Sequence, residues 1–112
     1  MNRIELVGRI VWSVELRRDH STQQTVGDAM LAVWSDGTEL EFIPVTLHGR
    51  DAEDAATYLG LGSQIEVHGH MHSALVVDRG KGSSRRMRRV MEVIADRVTY
   101  IDVCPPVEDE QQ

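Results

Sequence analysis

Cysteine is almost missing from this 112-residue chain: Cys104 stands alone. An intrachain disulfide and a Cys-based zinc site are thereby excluded, nothing points to an oxidising compartment, and the ordinary reading of the residue is a buried or tail thiol. Long apolar runs are also lacking, far short of the roughly 20 residues that span a bilayer. The N-terminus opens on Asn2, Arg3 and Glu5 inside a strand-like pattern rather than on a leader, so the expectation is a soluble, cytoplasmic protein with no membrane attachment. Motifs of catalysis are missing as well. There is no Gly-rich phosphate loop leading into a helix, no nucleophile elbow and no Cys-His-acid arrangement, and the Asp51, Glu53, Asp54 group reads as a helix N-terminus. Neither an enzyme nor a cofactor is expected. Aromatic residues, at 4%, are few: one Phe, two Trp and two Tyr.

What is present describes one ordinary globular domain. The length is too short for two cores, and 41% hydrophobic with 27% charged residues argues against whole-chain disorder. The formal charge of -6 hides an asymmetry. Residues 79–89, RGKGSSRRMRR, hold Arg79, Lys81, Arg85, Arg86, Arg88 and Arg89 with no acid, so this stretch carries +6 and the remainder of the chain -12. Like charges packed this densely among glycines keep a loop open unless an anion joins them, and a polyanion is the natural partner.

The hydrophobic pattern is that of strands. Arg3 to Val11 alternates and is rich in β-branched residues, and the strand is expected to run on toward Arg17. After a polar loop, Val26 to Trp34 forms a second strand, Asp36-Gly37 a two-residue hairpin turn, and Glu39 to His48 a third strand in which Pro44 argues for a bulge or an edge. Ala52, Ala55, Ala56 and Leu59 recur at helical spacing over 51–59, and Gly60 and Gly62 stop that helix. Gln64 to Val77 and Arg89 to Ile101 give the fourth and fifth strands, with the basic stretch as the loop between them. The domain is expected to span 1–103, leaving 104–112 as a short acidic tail behind Pro105 and Pro106.

Five strands with one short helix between the third and fourth is the order of a mainly β, Greek-key barrel of the oligonucleotide- and oligosaccharide-binding (OB) type. In that fold the ligand lies across strands two and three, flanked by the loops between strands one and two and between four and five. The second of these loops is where the six bases fall.

Specific residues then resemble the bacterial single-stranded-DNA-binding protein family: Asn2-Arg3-Ile4-Glu5-Leu6-Val7-Gly8-Arg9, Glu15-Leu16-Arg17, Leu31-Ala32, Glu41-Phe42-Ile43-Pro44-Val45, His48-Gly49-Arg50-Asp51-Ala52-Glu53, Tyr58-Leu59, Gly62 to Gly69, and Glu92-Val93. The resemblance runs from residue 2 to about 101. It implies a barrel that assembles as a homotetramer, with a dimer as the alternative. Such a barrel binds single-stranded DNA without catalysis in replication, recombination and repair, is nucleoid-associated, and serves replication or repair proteins as partners. A rival reading is a primosome-type accessory barrel dimer that works mainly through protein partners. A further rival is a barrel that has lost nucleic-acid binding and serves assembly.

Against the family pattern, His48 stands where Phe or Trp usually precedes Gly, Val76 falls at a frequent Trp position, the Asp36-Gly37 hairpin is short, and the acidic tail lacks a hydrophobic tip. The expected single-strand contacts are Arg3, Arg9, Arg17, Arg50, Arg79, Lys81, Arg85, Arg86, Arg88 and Arg89 to phosphates, and Trp34, Phe42 and His48 to bases. Trp34 is equally placed to pack at a barrel end or subunit contact, and Trp12 is expected buried or in such a contact. With about four to six phosphates per subunit the log affinity is expected to fall with log salt at a slope near -3 to -4. His68, His70 and His72 alternate along one strand as a polar or groove face rather than a metal site; in a groove, their protonation below about pH 6.5 would tighten polyanion binding.

Overall fold

The structure, a computed structural model, describes residues 1–80, 82 and 85–107, and of Arg79 the backbone. Six strands and one helix follow one another: β1 (Ile4–Ile10), β2 (Glu15–Arg18), β3 (Thr25–Ser35), β4 (Glu39–His48), α1 (Gly49–Tyr58), β5 (Gln64–Arg79) and β6 (Arg85–Asp102). Their order in the sheet is β1-β5-β6-β4-β3-β2, and a β1–β3 pairing at Arg9↔Ala32 and Ile10↔Leu31 closes β1, β5, β6, β4 and β3 into a five-stranded barrel. β6 joins β4 in parallel and the remaining pairs are antiparallel. This is the expected Greek-key OB arrangement, with the helix between the third and fourth barrel strands.

Two elements differ from the sequence reading. The first strand does not run unbroken to Arg17. β1 pairs with β5 over Ile4–Arg9 and touches β3 only at its end; the chain leaves the ladder over 11–14 and rejoins β3 as β2, at Glu15↔Asp28 through Arg18↔Thr25. The break is where one strand changes partners at a barrel corner, and Val14 uses it to enter the core. The basic stretch is the second difference. Arg85, Arg86, Arg88 and Arg89 are ladder residues of β6, paired to β5 as far as Arg79↔Arg85, so no more than 80–84 is left outside the two strands. Within it Lys81 lies outside the described residues.

The core is aliphatic. Ile10, Leu31, Val45, Leu47, Leu59, Ile65 and Val67 are buried, with Ala52 and Ala55 bringing α1 against the barrel. A Cβ on Gly27 would stand 3.0 Å from Ala52 Cβ and 3.2 Å from Val14, so the glycine sets how closely helix and strand approach. Asp36 and Gly37 take φ values of 53° and 71°, as an Asp-Gly hairpin turn requires, and Thr38 N–H closes on the Ser35 carbonyl at 3.2 Å.

Pro44 is accommodated by geometry. Its register partner Met30 turns its carbonyl away to accept Val11 N–H at 3.1 Å, which makes Met30↔Pro44 a pair without mutual hydrogen bonds. The Pro44 nitrogen therefore faces the β6 side, where the β4–β6 pairing extends only to Val45↔Val93 and Thr46↔Ile94. No ladder donor is needed there.

Candidate nucleic-acid interface

Every aromatic residue of the chain is on the surface: Trp12, Trp34, Phe42, Tyr58 and Tyr100 are all exposed. A small protein ordinarily uses its few rings to fill its core. Trp12, expected to be buried or in a contact, is half open beside Glu15 and Asp28.

Strand alternation determines which rings act together. In β3 the core takes Ala29, Leu31 and Val33, and in β4 Val45 and Leu47. The opposite parity turns outward as cross-strand pairs: Trp34 with Leu40, Ala32 with Phe42, Met30 with Pro44 and Asp28 with Thr46; at the end of the ladder Val26, the partner of His48, is buried. Phe42 and Trp34 thus lie diagonally on one outward face, 60% and 64% exposed. His48 closes the same face at the far end, six residues from Phe42, and precedes α1 without capping it through its side chain.

Where β1 splays from β3, Trp34 and Leu40 face Val7, Arg9 and Leu61 across an open, mostly apolar cleft of about 540 Å³. The sequence reading had Trp34 and Arg9 but not Val7, Leu40 or Leu61. Parity in β4 exposes Leu40, but the approach of Leu61 depends on the loop after α1, which has no period to read.

The arginines are less available than their number implies. Arg17 is hydrogen-bonded to Asp28 through two nitrogens, at 2.8 and 3.3 Å, and that bond chiefly holds its guanidinium more firmly protonated. Arg9 donates to the Gly62 carbonyl at 2.7 Å and lies 3.6 Å from Asp102. Arg3 faces Glu5 at 3.6 Å, and Arg50, on the exposed side of α1, faces Asp54 at 3.8 Å. Arg88 is bonded to Asp78 across the β5–β6 hairpin. Arg85, Arg86 and Arg89 have no carboxylate partner among the described residues, Arg89 donating instead to Ser73 Oγ at 3.3 Å. Acids that the sequence places far away, Asp28 and Asp78 above all, are brought opposite these cations by strand register.

Register also divides the basic block. Thr46, on the outward face, neighbours Ile94, and Glu92 adds to the field that holds the Arg17 charge, so the Ile94 side of β6 is the Phe42 side. Arg86 and Arg88 share that side with Val90 and Glu92, whereas Arg85 and Arg89 share the side of Val93, whose parity within the barrel is the core. Arg3 and Arg50 stand away from the Phe42 face, on the β1–β5 wall and on the helix.

His68, His70 and His72 do project on one side, and carboxylates meet them: Glu66 at 3.2 Å and Glu5 at 3.8 Å from His68, and Asp96 at 3.0 Å from His70. The described residues hold no grouping of three ligands for a metal ion. At the opposite end of the barrel Tyr58 and Tyr100 lie with Asp51 and Asp54, where burial first and the two aspartates next push the Tyr100 hydroxyl up. Such a patch repels phosphate.

A closed five-stranded barrel with exposed rings on its β3–β4 face defines the class as an OB-fold protein. The single-strand binding protein family model matches residues 1–101. A single-stranded DNA-binding protein of Clostridium tetani is 35% identical over 107 residues, covering 91% of this chain and 71% of that protein, and single-stranded DNA-binding protein 3 of Clostridium acetobutylicum is 30% identical with 91% and 72% covered. The chain belongs to the single-strand binding protein family. In fold it matches the solved Plasmodium falciparum single-strand binding protein, in a complex with single-stranded DNA, with a TM-score of 0.68 over 91% of this chain and 96% of that one at 17% identity.

Proposed function

We propose that this chain binds single-stranded DNA with little regard to sequence, as a non-catalytic protein of replication, recombination and repair in the bacterial cytoplasm and nucleoid. The observation that carries the reading is the diagonal pair Trp34 and Phe42, the chain's rings set outward on the β3–β4 face beside a basic hairpin. Membership of the single-strand binding family supports it. Bases stack on Phe42 and Trp34, with His48 further along the face. Among the cations named from the sequence, Arg85, Arg86 and Arg89 meet phosphates with their charge uncompensated. Arg9, Arg17 and Arg88 do so only in competition with Asp102, Asp28 and Asp78. Arg79 and Lys81 belong to the same basic stretch of the sequence. Three uncompensated cations give a salt slope of about -2 per subunit, at roughly 0.7 per phosphate.

The protein acts as a homo-oligomer, a tetramer or a dimer. β1 is paired with β5 along its length but with β3 only at Arg9 and Ile10, which leaves one edge of Ile4–Gly8 open to a second strand. Residues 1–103 form the binding domain.

The test is a fluorescence titration of Trp12 and Trp34 with a long oligothymidine at two salt concentrations, with duplex DNA as control. Salt-sensitive quenching by the single strand alone is the expected result. Absence of binding to either form at low salt overturns the reading.

A further inference from the structure

Two surfaces of this chain are complementary and lie too far apart to meet within one copy. The first is one face of the arm in which β5 and β6 run on together, from Met71↔Val93 to Arg79↔Arg85. Leu75, Val77, Met87 and Met91 are exposed on it beside Arg85 and Arg89, and the face holds no acid among the described residues. The second is an open cleft of about 400 Å³ lined by Asp51, Asp54 and Tyr58 of α1 and by Val98, Thr99 and Tyr100 of β6. Both tyrosines are exposed there. Asp51 has no cation opposite it among the described residues, and Asp54 has only the outward-lying Arg50, at 3.8 Å. Fifteen residues of β6 separate Arg85 from Tyr100, about 50 Å at roughly 3.3 Å per residue and close to the 48 Å long axis of the molecule. An arm therefore reaches such a cleft only on another copy.

We propose that these two surfaces bind each other between copies: in protein free of nucleic acid, the face of one copy's arm that carries Met87, Arg85 and Arg89 docks on the Tyr58 and Tyr100 cleft of a second copy. Charge and side-chain chemistry select this occupant. Arg85 and Arg89 bring two guanidinium groups without an acid to two carboxylates, and charge-assisted pairs of this kind are stronger than neutral hydrogen bonds. Tyrosine rings attract cations to their faces and make favourable contacts with thioethers, and the arm presents both groups side by side. Because the two patches differ, the contact is head-to-tail: every docked copy still offers one arm and one cleft, so assembly continues until a ring happens to close. That sets it apart from a closed dimer or tetramer joined along β1. A single strand undoes the contact, since phosphates and the carboxylates of the cleft compete for the same Arg85 and Arg89; this last step rests on the single-strand reading above.

Sedimentation velocity of the full chain without DNA, over a range of protein concentrations, tests the contact. At low salt the mean mass is expected to keep rising with concentration past that of a closed oligomer. At about 1 M salt, where the Debye length is about 3 Å, the rise is expected to vanish. Asp51→Asn/Asp54→Asn is expected to abolish the rise at low salt while still binding oligothymidine as the wild type does. Charge reversal adds a readout that a misfolded variant cannot imitate. Asp51→Arg/Asp54→Arg and Arg85→Glu/Arg89→Glu are each expected to stay at the closed-oligomer mass alone and to grow when mixed, because each arm then meets opposite charge on the other variant's cleft. A constant mass for the wild type at low salt, an undiminished rise in Asp51→Asn/Asp54→Asn, or a mixture that does not grow overturns the inference. A short oligothymidine added to the wild type is expected to return it to the closed-oligomer mass, and growth that survives its binding also overturns the inference. Oligothymidine that fails to bind at all defeats the single-strand reading and leaves the contact between copies standing.

Discussion

Phe42 and Trp34 lie diagonally across the β3–β4 ladder on the side away from the core, with Ala32 and Leu40 as their direct partners. Diagonal neighbours in an antiparallel pair are about 7–8 Å apart at Cα, close to the reach of adjoining bases on two rings. Truncating either ring leaves the barrel intact, because neither is part of the core. Phe42→Ala and Trp34→Ala are each expected to weaken oligothymidine binding by about 1–3 kcal/mol with unchanged thermal stability. Anisotropy titration with a labelled oligonucleotide checks this for both variants; an unaltered affinity in Phe42→Ala removes the β3–β4 face from the binding path.

Asp78 sits opposite Arg86 in register and holds Arg88 by a hydrogen bond. Removing its charge releases one guanidinium and deletes one repulsion from a phosphate. Asp78→Asn is therefore expected to tighten single-strand binding and to steepen the salt slope by about 0.7, the value of one further phosphate. Titration at two salt concentrations measures both. A weaker complex would mean that Asp78 positions Arg88 for DNA rather than restraining it.

Gly69 is where β5 meets an irregularity in β6: His68 pairs with Arg97 and Gly69 with Ala95, so Asp96 is the extra residue of a bulge. A Cβ at Gly69 would fall 2.0 Å from the Ile94 carbonyl oxygen, a backbone atom with no rotamer through which to yield. Gly69→Ala is expected to cost more than about 3 kcal/mol, above the usual range for overpacking, or to prevent folding. Urea denaturation measures it, with Gly37→Ala as a comparison that meets no atom within 4 Å but strains a φ of 71°.

Period-two alternation and turn residues made most of the fold legible. Leu31, Val45, Ile65 and Val67 lie on the parity that is buried, and Asp36-Gly37 makes its turn as local chemistry demands. The interruption of the first strand was not legible, since a change of partner from β5 to β3 leaves no mark on the pattern of one strand. The site divides in the same way. Phe42 and Trp34 follow from parity, and the same parity applied to Arg85-Arg86-Met87-Arg88-Arg89 separates the arginines into two faces once the stretch is known to be strand. Reading the stretch as an open loop hid this. The neutralising contacts of Asp28 and Asp78 were beyond reach because register across a sheet is a long-range property.

Ser63 joins the far end of the chain to the barrel, and its loss isolates the strength of that link. It is fully buried; its hydroxyl donates to the Cys104 carbonyl at 3.0 Å and accepts the Cys104 N–H at 2.9 Å. The Cys104 carbonyl has a second donor, Gly60 N–H at 2.6 Å, so Ser63→Ala leaves that oxygen served and orphans only the N–H. One unmet, part-buried donor costs about 1–3 kcal/mol, and the lower half of that range is expected because Cys104 is only partly shielded from water. Urea unfolding should show a lower midpoint with an unchanged slope, since the surface exposed on unfolding is the same. Oligothymidine affinity should change little, because the lost hydroxyl faces Cys104 and not the cleft that Leu61 lines with Trp34. A reduced slope would show instead that the end of the chain had come away from the barrel before the barrel itself unfolded.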